Sequence, residues 1–133
     1  MGAPGKAIVL RGKTHRCFFE LALAVIGGKW KPLIIRFLGR AGIMRFSELH
    51  RSITGITERM LARQLRELEA DGVVRREVYR EIPSRVEYSL TQLGCGLTPI
   101  LDQLKNWGEQ CDQSMSEEEL FTGGGYEPRV NGN

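Results

Sequence analysis

The feature that most constrains the fold is a pair of short predicted helices joined by a glycine-containing turn. Ser47 is placed to cap the first helix, and Thr57 is placed to cap the second, which extends to Gly72. Between them, Gly55 occupies the corner where tight helix–helix turns favour glycine. The segment therefore predicts two helices that meet at a sharp turn.

Two strand-like runs follow the second helix. Residues 73–80 are rich in β-branched side chains, and residues 85–90 alternate apolar and polar side chains. Four residues that include Pro83 separate the runs, which predicts a β-hairpin with proline at its tip. Two helices followed by a hairpin are the organisation of a winged helix-turn-helix, whose second helix enters the major groove of DNA.

Further helical segments flank this unit. Residues 17–26 and about 29–38 read as two helices before it, and residues 44–46 as a short extended piece. After it, Thr91 is placed to cap a helix whose apolar side chains share one face from Leu93 to Trp107. Gly94, Gly96 and Pro99 predict a break or bend near the start of this helix. The predicted fold class is mainly α with a small β-hairpin wing: a winged helix-turn-helix DNA-binding domain with N- and C-terminal dimerisation helices.

Composition indicates one globular domain. The chain has 133 residues, of which 41% are hydrophobic and 26% charged. Glycine is concentrated at both ends, so we predict a disordered N-terminal tail at 1–13, a domain at 14–115 and a disordered acidic, glycine-rich tail at 116–133. The longest apolar run, 17–26, is about half the length that a bilayer requires and contains Glu20. We therefore expect a cytoplasmic protein that keeps its N-terminus and has no membrane partner.

The cysteines and histidines predict neither a metal site nor a cofactor. The three cysteines (Cys17, Cys95 and Cys111) form no C-x-x-C pair, and the only histidines are His15 and His50. The histidines have no partner pattern for nucleophilic catalysis. We therefore expect a protein that is not an enzyme and binds no metal.

The net charge of +3 hides an uneven distribution of charge. Residues 28–90 carry 13 basic and 8 acidic side chains, whereas residues 91–133 carry 2 basic and 7 acidic ones. A basic middle before an acidic tail is consistent with a protein that binds nucleic acid. The alternative is a chance asymmetry of charge on a solvated surface.

The helix after Thr57 concentrates arginine on one face. At about 100° per residue, its leucines Leu61, Leu65 and Leu68 define a buried face, and three arginines fall within about 40° of the opposite direction. We call these three the arginine stripe: Arg59, Arg63 and Arg66. Glu67 is placed to pair with Arg63 at four-residue spacing. The alternative is an arginine-rich surface helix with no partner.

Arginine suits both phosphate and guanine because its planar guanidinium donates two parallel hydrogen bonds. The N-terminal part of a recognition helix reads bases, and the wing reaches backbone or minor groove. Arg66 is predicted to contact phosphate. The remaining predicted DNA contacts are base readers (Thr57, Glu58, Arg59 and Arg63) and wing residues (Arg80 and Arg85).

The chain resembles a known family of bacterial transcriptional regulators, the HxlR type, which is related to the MarR-type regulators. The resemblance covers about residues 17–110. Its motifs are Cys17, Ile26-Gly27-Gly28-Lys29-Trp30, Arg45-Phe46-Ser47-Glu48-Leu49, Gly55-Ile56-Thr57, Met60-Leu61, Leu65-Arg66-Glu67-Leu68-Glu69, Asp71-Gly72, Val86-Glu87-Tyr88-Ser89-Leu90-Thr91 and Trp107-Gly108. It implies a homodimer that binds operator DNA as repressor or activator, with residues 57–71 as recognition helix and 79–87 as wing. It implies neither an enzymatic activity nor a metal.

Two further expectations concern the terminal helices. Their apolar surface exceeds what one small core covers, so we predict that they form a two-fold interface; the alternative is that they complete the monomer core. Cys17 begins a helix, where the positive end of the dipole favours a thiolate, and it follows His15 and Arg16. In the resembling family some members use this cysteine to sense electrophiles or oxidants. The alternative is a buried small hydrophobe, and the sequence does not place Cys95 or Cys111 within reach as a resolving partner.

The predicted function is a sequence-specific transcriptional regulator, a repressor that binds a pseudo-palindromic operator as a homodimer and responds to redox or electrophiles through Cys17. The alternatives are a regulator that responds to a small molecule and a protein–protein adaptor that uses the winged-helix surface.

Overall fold

The computed structural model describes residues 7–112, so the predicted tail at 116–133 lies outside the described part of the chain. Within residues 7–13, the structure shows most of a hairpin where the sequence predicts a disordered tail. Strands β1 (Ile8–Leu10) and β2 (Lys13–His15) pair in antiparallel register and contact the helix that follows. Arg11 and Gly12 have φ of 49° and 77°, which suits a two-residue hairpin turn. Gly12 therefore belongs to a turn.

The helical part of the fold follows the predicted order with shifted boundaries. Thr57 caps the helix that follows it, as predicted, because its hydroxyl oxygen accepts a hydrogen bond from the Met60 amide at 3.0 Å. The elements in this part are α1 (Phe18–Ile26), α2 (Lys31–Ala41), β3 (Ile43–Arg45), α3 (Phe46–Ser52) and α4 (Glu58–Ala70).

The predicted cap of α3 at Ser47 is wrong. Helix α3 begins at Phe46, directly after β3, and Arg45 is the residue at its N-cap. The Arg45 backbone N–H donates to Glu48 Oε1 at 2.7 Å. A glutamate in the first turn therefore satisfies this backbone donor at the start of the helix. The pairing of β3 with the wing sets this boundary, and the helix therefore starts one residue before Ser47.

The wing is part of a three-stranded antiparallel sheet. Strand β4 (Val74–Tyr79) pairs with β5 (Arg85–Leu90) in a register that runs from Val74↔Leu90 to Tyr79↔Arg85. Strand β3 pairs with the other edge of β5, so the order is β3-β5-β4. The sheet thereby joins the strand before α3 to the hairpin after α4.

The C-terminal helical segment is broken, as the glycines predict. Helices α5 (Gln92–Cys95) and α6 (Leu97–Cys111) are separated at Gly96, and the Thr91 hydroxyl accepts from the Gly94 amide at 3.0 Å. Gly94 is required by close approach: a Cβ there would lie 2.2 Å from the Val73 carbonyl oxygen. The backbone of α5 therefore packs directly on the start of β4.

One apolar core lies between the helices and the sheet. Helix α2 contributes Ile34, Ile35, Phe37 and Leu38, and α4 contributes three leucines. Helix α1, in contrast, has no buried residue. Within residues 7–112, no helix is long and apolar enough to cross a membrane.

Candidate nucleic-acid interface

Helix α4 has the two opposite faces that the sequence predicts. Leu61, Leu65 and Leu68 are at most 1% exposed. The arginine stripe (Arg59, Arg63 and Arg66) lies on the exposed side. Because the buried leucines anchor α4 in the core, the three arginines form a cationic surface on a fixed helix.

Glu67 lies beside this stripe and has two cationic partners. Its Oε1 lies 2.6 Å from Lys31 Nζ, and its Oε2 lies 3.6 Å from Arg63 Nε. The hydrogen bond from Lys31 is the main cause that lowers the pKa of the Glu67 carboxyl, and burial partly opposes it. Because Lys31 is the closer partner and the Arg63 side chain remains 66% exposed, Arg63 keeps most of its surface for another ligand.

The N-terminal turn of α4 presents two of the predicted base readers. Thr57 and Glu58 are both exposed. The Thr57 hydroxyl oxygen serves as the cap, which leaves its O–H proton to donate. The Glu58 carboxylate lies in the first turn, where the helix dipole favours an acid.

The two predicted arginines of the wing have different surroundings. Arg80 follows the last residue of β4 and is exposed. Arg85 is folded onto the hairpin: its Nη2 lies 3.3 Å from Glu81 Oε2, its Nε lies 3.4 Å from Glu87 Oε2, and its guanidinium lies 4.2 Å from the Tyr79 ring centroid. The Arg85 guanidinium is therefore partly occupied by partners within the wing.

The structure brings a further arginine, which the sequence analysis missed, to the edge of the stripe. Arg76 and Arg66 both line a cavity of about 270 Å³ between α4 and the sheet, together with Ala62, Leu65, Glu69 and Tyr88. We call this cavity the α4–β4 notch. The available signal was the two-residue spacing of Val74, Arg76 and Val78, which places Arg76 on the same face of β4 as the buried Val74.

Cys17 lies at the N-cap of α1, is half-buried and makes no side-chain capping bond. All three cysteines of the chain are free, and Cys95 and Cys111 are exposed. The neighbouring Arg16 binds Glu20 through its amide at 2.6 Å and its Nη2 at 3.0 Å, and these bonds lower the pKa of the Glu20 carboxyl. Much of the Arg16 charge beside Cys17 is thus balanced.

The two terminal helices expose large apolar side chains. Phe18 is 71% exposed on α1, and Trp107 is 63% exposed on α6. Their exposed apolar neighbours on α1, α5 and α6 are Phe19, Leu23, Leu93, Ile100 and Leu104. We call these seven residues the terminal apolar faces. Trp30, in contrast, packs against the core.

No cluster suited to a metal ion occurs in the described chain: residues 7–112 contain no group of three or more His, Cys, Asp or Glu side chains that could hold one.

Comparison with known proteins identifies relatives along this part of the chain. The family model of HxlR-like helix-turn-helix proteins matches residues 25–116. An HTH-type transcriptional regulator of Methanothermobacter thermautotrophicus is 54% identical over 95 residues, which cover 71% of this chain and 72% of that protein. The HTH-type transcriptional regulator YybR of Bacillus subtilis is 54% identical over 93 residues, which cover 70% of this chain and 74% of that protein.

Solved structures agree with the fold. The redox regulator HypR in its oxidized form is 53% identical, with a TM-score of 0.66 and coverage of 71% of this chain and 96% of that one. The reduced form of the transcriptional regulator YodB from B. subtilis is 35% identical, with a TM-score of 0.66 and coverage of 76% and 100%. The predicted winged helix-turn-helix fold is confirmed.

Proposed function

This chain belongs to the family of HxlR-like helix-turn-helix transcriptional regulators, and from that premise we propose that it represses transcription by binding a pseudo-palindromic operator as a homodimer. Helix α4 enters the major groove of each half-site, and the β4–β5 hairpin reaches the flanking backbone or minor groove. The protein acts in the cytoplasm on double-stranded DNA and is not an enzyme.

The observation that carries the proposal is the arginine stripe on the exposed face of α4. Arg59 and Arg63 meet base edges with Thr57 and Glu58, and Arg66 meets phosphate. In the wing, Arg80 is exposed, whereas Arg85 contributes through the part of its guanidinium that its acidic partners leave open. An adaptor protein would have no need of three arginines on one face of a helix.

Homodimerisation is supported by the terminal apolar faces. Monomeric proteins rarely leave so many large apolar side chains exposed on their helices. A second copy of the chain is the occupant that the proposed operator demands, because two recognition helices about 34 Å apart read two half-sites. The proposed interface therefore joins α1 and α6 of the two protomers.

Response to oxidants or electrophiles through Cys17 completes the proposal. HypR is named a redox regulator, and it is about half identical to this chain. Here Cys17 is a free, half-buried thiol at the start of α1, inside the proposed dimer interface. Modification of this thiol would alter the packing of α1 and thereby the spacing of the recognition helices. A ligand-responsive regulator without thiol sensing is the second candidate.

The experiment that tests DNA binding is protection of the DNA upstream of the protein's own gene and its neighbours, repeated at increasing salt. Operator binding predicts a protected pseudo-palindrome and a steep loss of affinity with salt, since neutralised phosphates release counterions. If no DNA sequence is protected, or if the affinity for DNA does not depend on salt, the result would favour an adaptor. In the same assay, diamide should release the wild-type protein but not Cys17→Ser. Release of both proteins would assign the response elsewhere.

The dimer is tested by sedimentation of Leu104→Glu beside Val78→Glu. Leu104 lies on a terminal apolar face, whereas Val78 is a comparably exposed apolar residue of the wing. The proposal expects Leu104→Glu to sediment as a monomer and Val78→Glu as a dimer. A wild-type monomer at micromolar concentration would contradict it.

A further inference from the structure

We propose that the α4–β4 notch is a phosphate clamp, in which Arg66 and Arg76 together bind one backbone phosphate of the DNA. This inference rests on the proposed function and adds a binding site and a residue to it. Arg76 is not on α4. It lies on strand β4, which places it next to Arg66 in the notch.

The geometry of the sheet places the two guanidiniums on one cavity. Arg76 lies opposite Tyr88 in the β4–β5 register, on the face of β4 that carries the buried Val74. Strand β4 contacts α4, and Arg66 lies on the side of the arginine stripe nearest Ala62, which lines the same cavity. Both arginines are exposed, so an anion reaches them from solvent.

The chemistry of the notch fits a phosphodiester. Of the described residues that line it, Arg66 and Arg76 are basic and Glu69 is acidic, so the charges sum to a single positive one. That sum matches the one negative charge of a backbone phosphate. Ala62, Leu65 and Tyr88 form a floor without another charged group, on which two planar guanidiniums can donate to the phosphate oxygens.

The position of the notch also fits the path of DNA. It lies between the helix proposed to enter the major groove and the wing proposed to reach the flanking backbone. A phosphate held there would fix the register of α4 on the duplex without reading a base. The clamp thus positions the base readers Arg59 and Arg63.

The chain offers a matched control one residue away. Arg75 is an exposed arginine of the same strand, but it lies on the opposite face, where its Nη2 is 3.0 Å from Glu77 Oε1. Arg75→Ala and Arg76→Ala remove the same charge from adjacent positions. Only Arg76→Ala removes one of the two guanidiniums that line the notch.

The test measures binding of the full chain to two duplexes of unrelated sequence over a series of salt concentrations. Arg76→Ala should weaken binding to both duplexes about tenfold and reduce the slope of log affinity against log salt by about one. Arg76→Lys should restore the slope, because it keeps the charge, and Arg75→Ala should leave it unchanged.

Equal effects of Arg75→Ala and Arg76→Ala, or an unchanged slope in Arg76→Ala, would overturn the clamp. If the wild-type chain still binds DNA with a steep salt dependence, the proposed function survives that result. Salt-independent binding by the wild-type chain would instead overturn the proposed function. Unchanged thermal unfolding of Arg76→Ala shows that a loss of binding is not a loss of fold.

Discussion

The Nζ of Lys31 lies 2.6 Å from Oε1 of Glu67, and this ion pair joins the first turn of α2 to α4. The Lys31 side chain is only 5% exposed, so its ammonium group is largely removed from water. Glu67 supplies the charge that makes this burial tolerable. The pair therefore fixes the orientation of α4 on the core from the side that carries the arginine stripe.

Glu67→Gln should lower the free energy of unfolding by about 1–3 kcal/mol, because it leaves a buried ammonium without its carboxylate. Urea denaturation measures the loss. Glu69→Gln is the control, since it removes the same charge from an exposed position two residues along the same helix. Similar losses for the two variants would show that the Lys31 contact is unimportant.

The same pair predicts a dependence of stability on pH. The pKa of the folded Glu67 carboxyl is below its ordinary value of 4.5, chiefly because Lys31 donates a hydrogen bond to it. Its contribution to stability is therefore present above pH 4.5 and is lost as the pH falls through the folded pKa. Denaturation from pH 7 to pH 3 should show the gap between wild type and Glu67→Gln closing with acid. A gap that widens would contradict the assignment.

Arg11→Ala should destabilise the protein although Arg11 lies in the N-terminal hairpin. Its guanidinium forms an ion pair with Asp71, whose side chain is 1% exposed at the C-terminal end of α4. A carboxylate there is disfavoured by the helix dipole and by burial, so loss of the cation should cost about 1–3 kcal/mol. Thermal unfolding of Arg11→Ala, Asp71→Asn and the double variant measures the coupling. Strict additivity would show that the pair does not act.

Gly94→Ala should be among the most damaging single substitutions, because its Cβ would meet the Val73 carbonyl oxygen at 2.2 Å. The expected cost is about 3 kcal/mol or more, since backbone must move against backbone. Gly108→Ala is the matched control: it also lies in a C-terminal helix, but its Cβ meets nothing within 4 Å. There alanine should stabilise the helix by up to about 1 kcal/mol. Melting temperatures that fall equally would refute the close-approach argument.

Arg63→Ala and Arg66→Ala should separate base reading from phosphate binding. Arg63→Ala should weaken operator binding by about 1–3 kcal/mol and relax the preference for the operator over unrelated DNA. Arg66→Ala should weaken binding to both kinds of DNA alike. Competition binding with operator and unrelated duplexes measures the preference. A preference that is lost in Arg66→Ala but kept in Arg63→Ala would reverse the assigned roles.

Several features of this protein were readable from the sequence because they depend on local chemistry. The caps at Thr57 and Thr91, the spacing of the α4 leucines and the alternation along β5 each arise from neighbours within a few residues. These signals were enough to order the helices and the wing, and to place the arginine stripe opposite the core.

Other features were decided only when distant segments met. The ion pair of Arg11 with Asp71, the start of α3 at Phe46 and the approach of Arg76 to α4 all depend on tertiary packing. Periodicity assigns a side chain to a face, but only the packing of one element on another determines which charges share that face. For this chain, the sequence determined where the cations lie on each element. The tertiary structure decided the pairs that join distant segments, Lys31 with Glu67 and Arg11 with Asp71, and it decided that Arg76 and Arg66 share one cavity, because these contacts depend on partners far away in the chain.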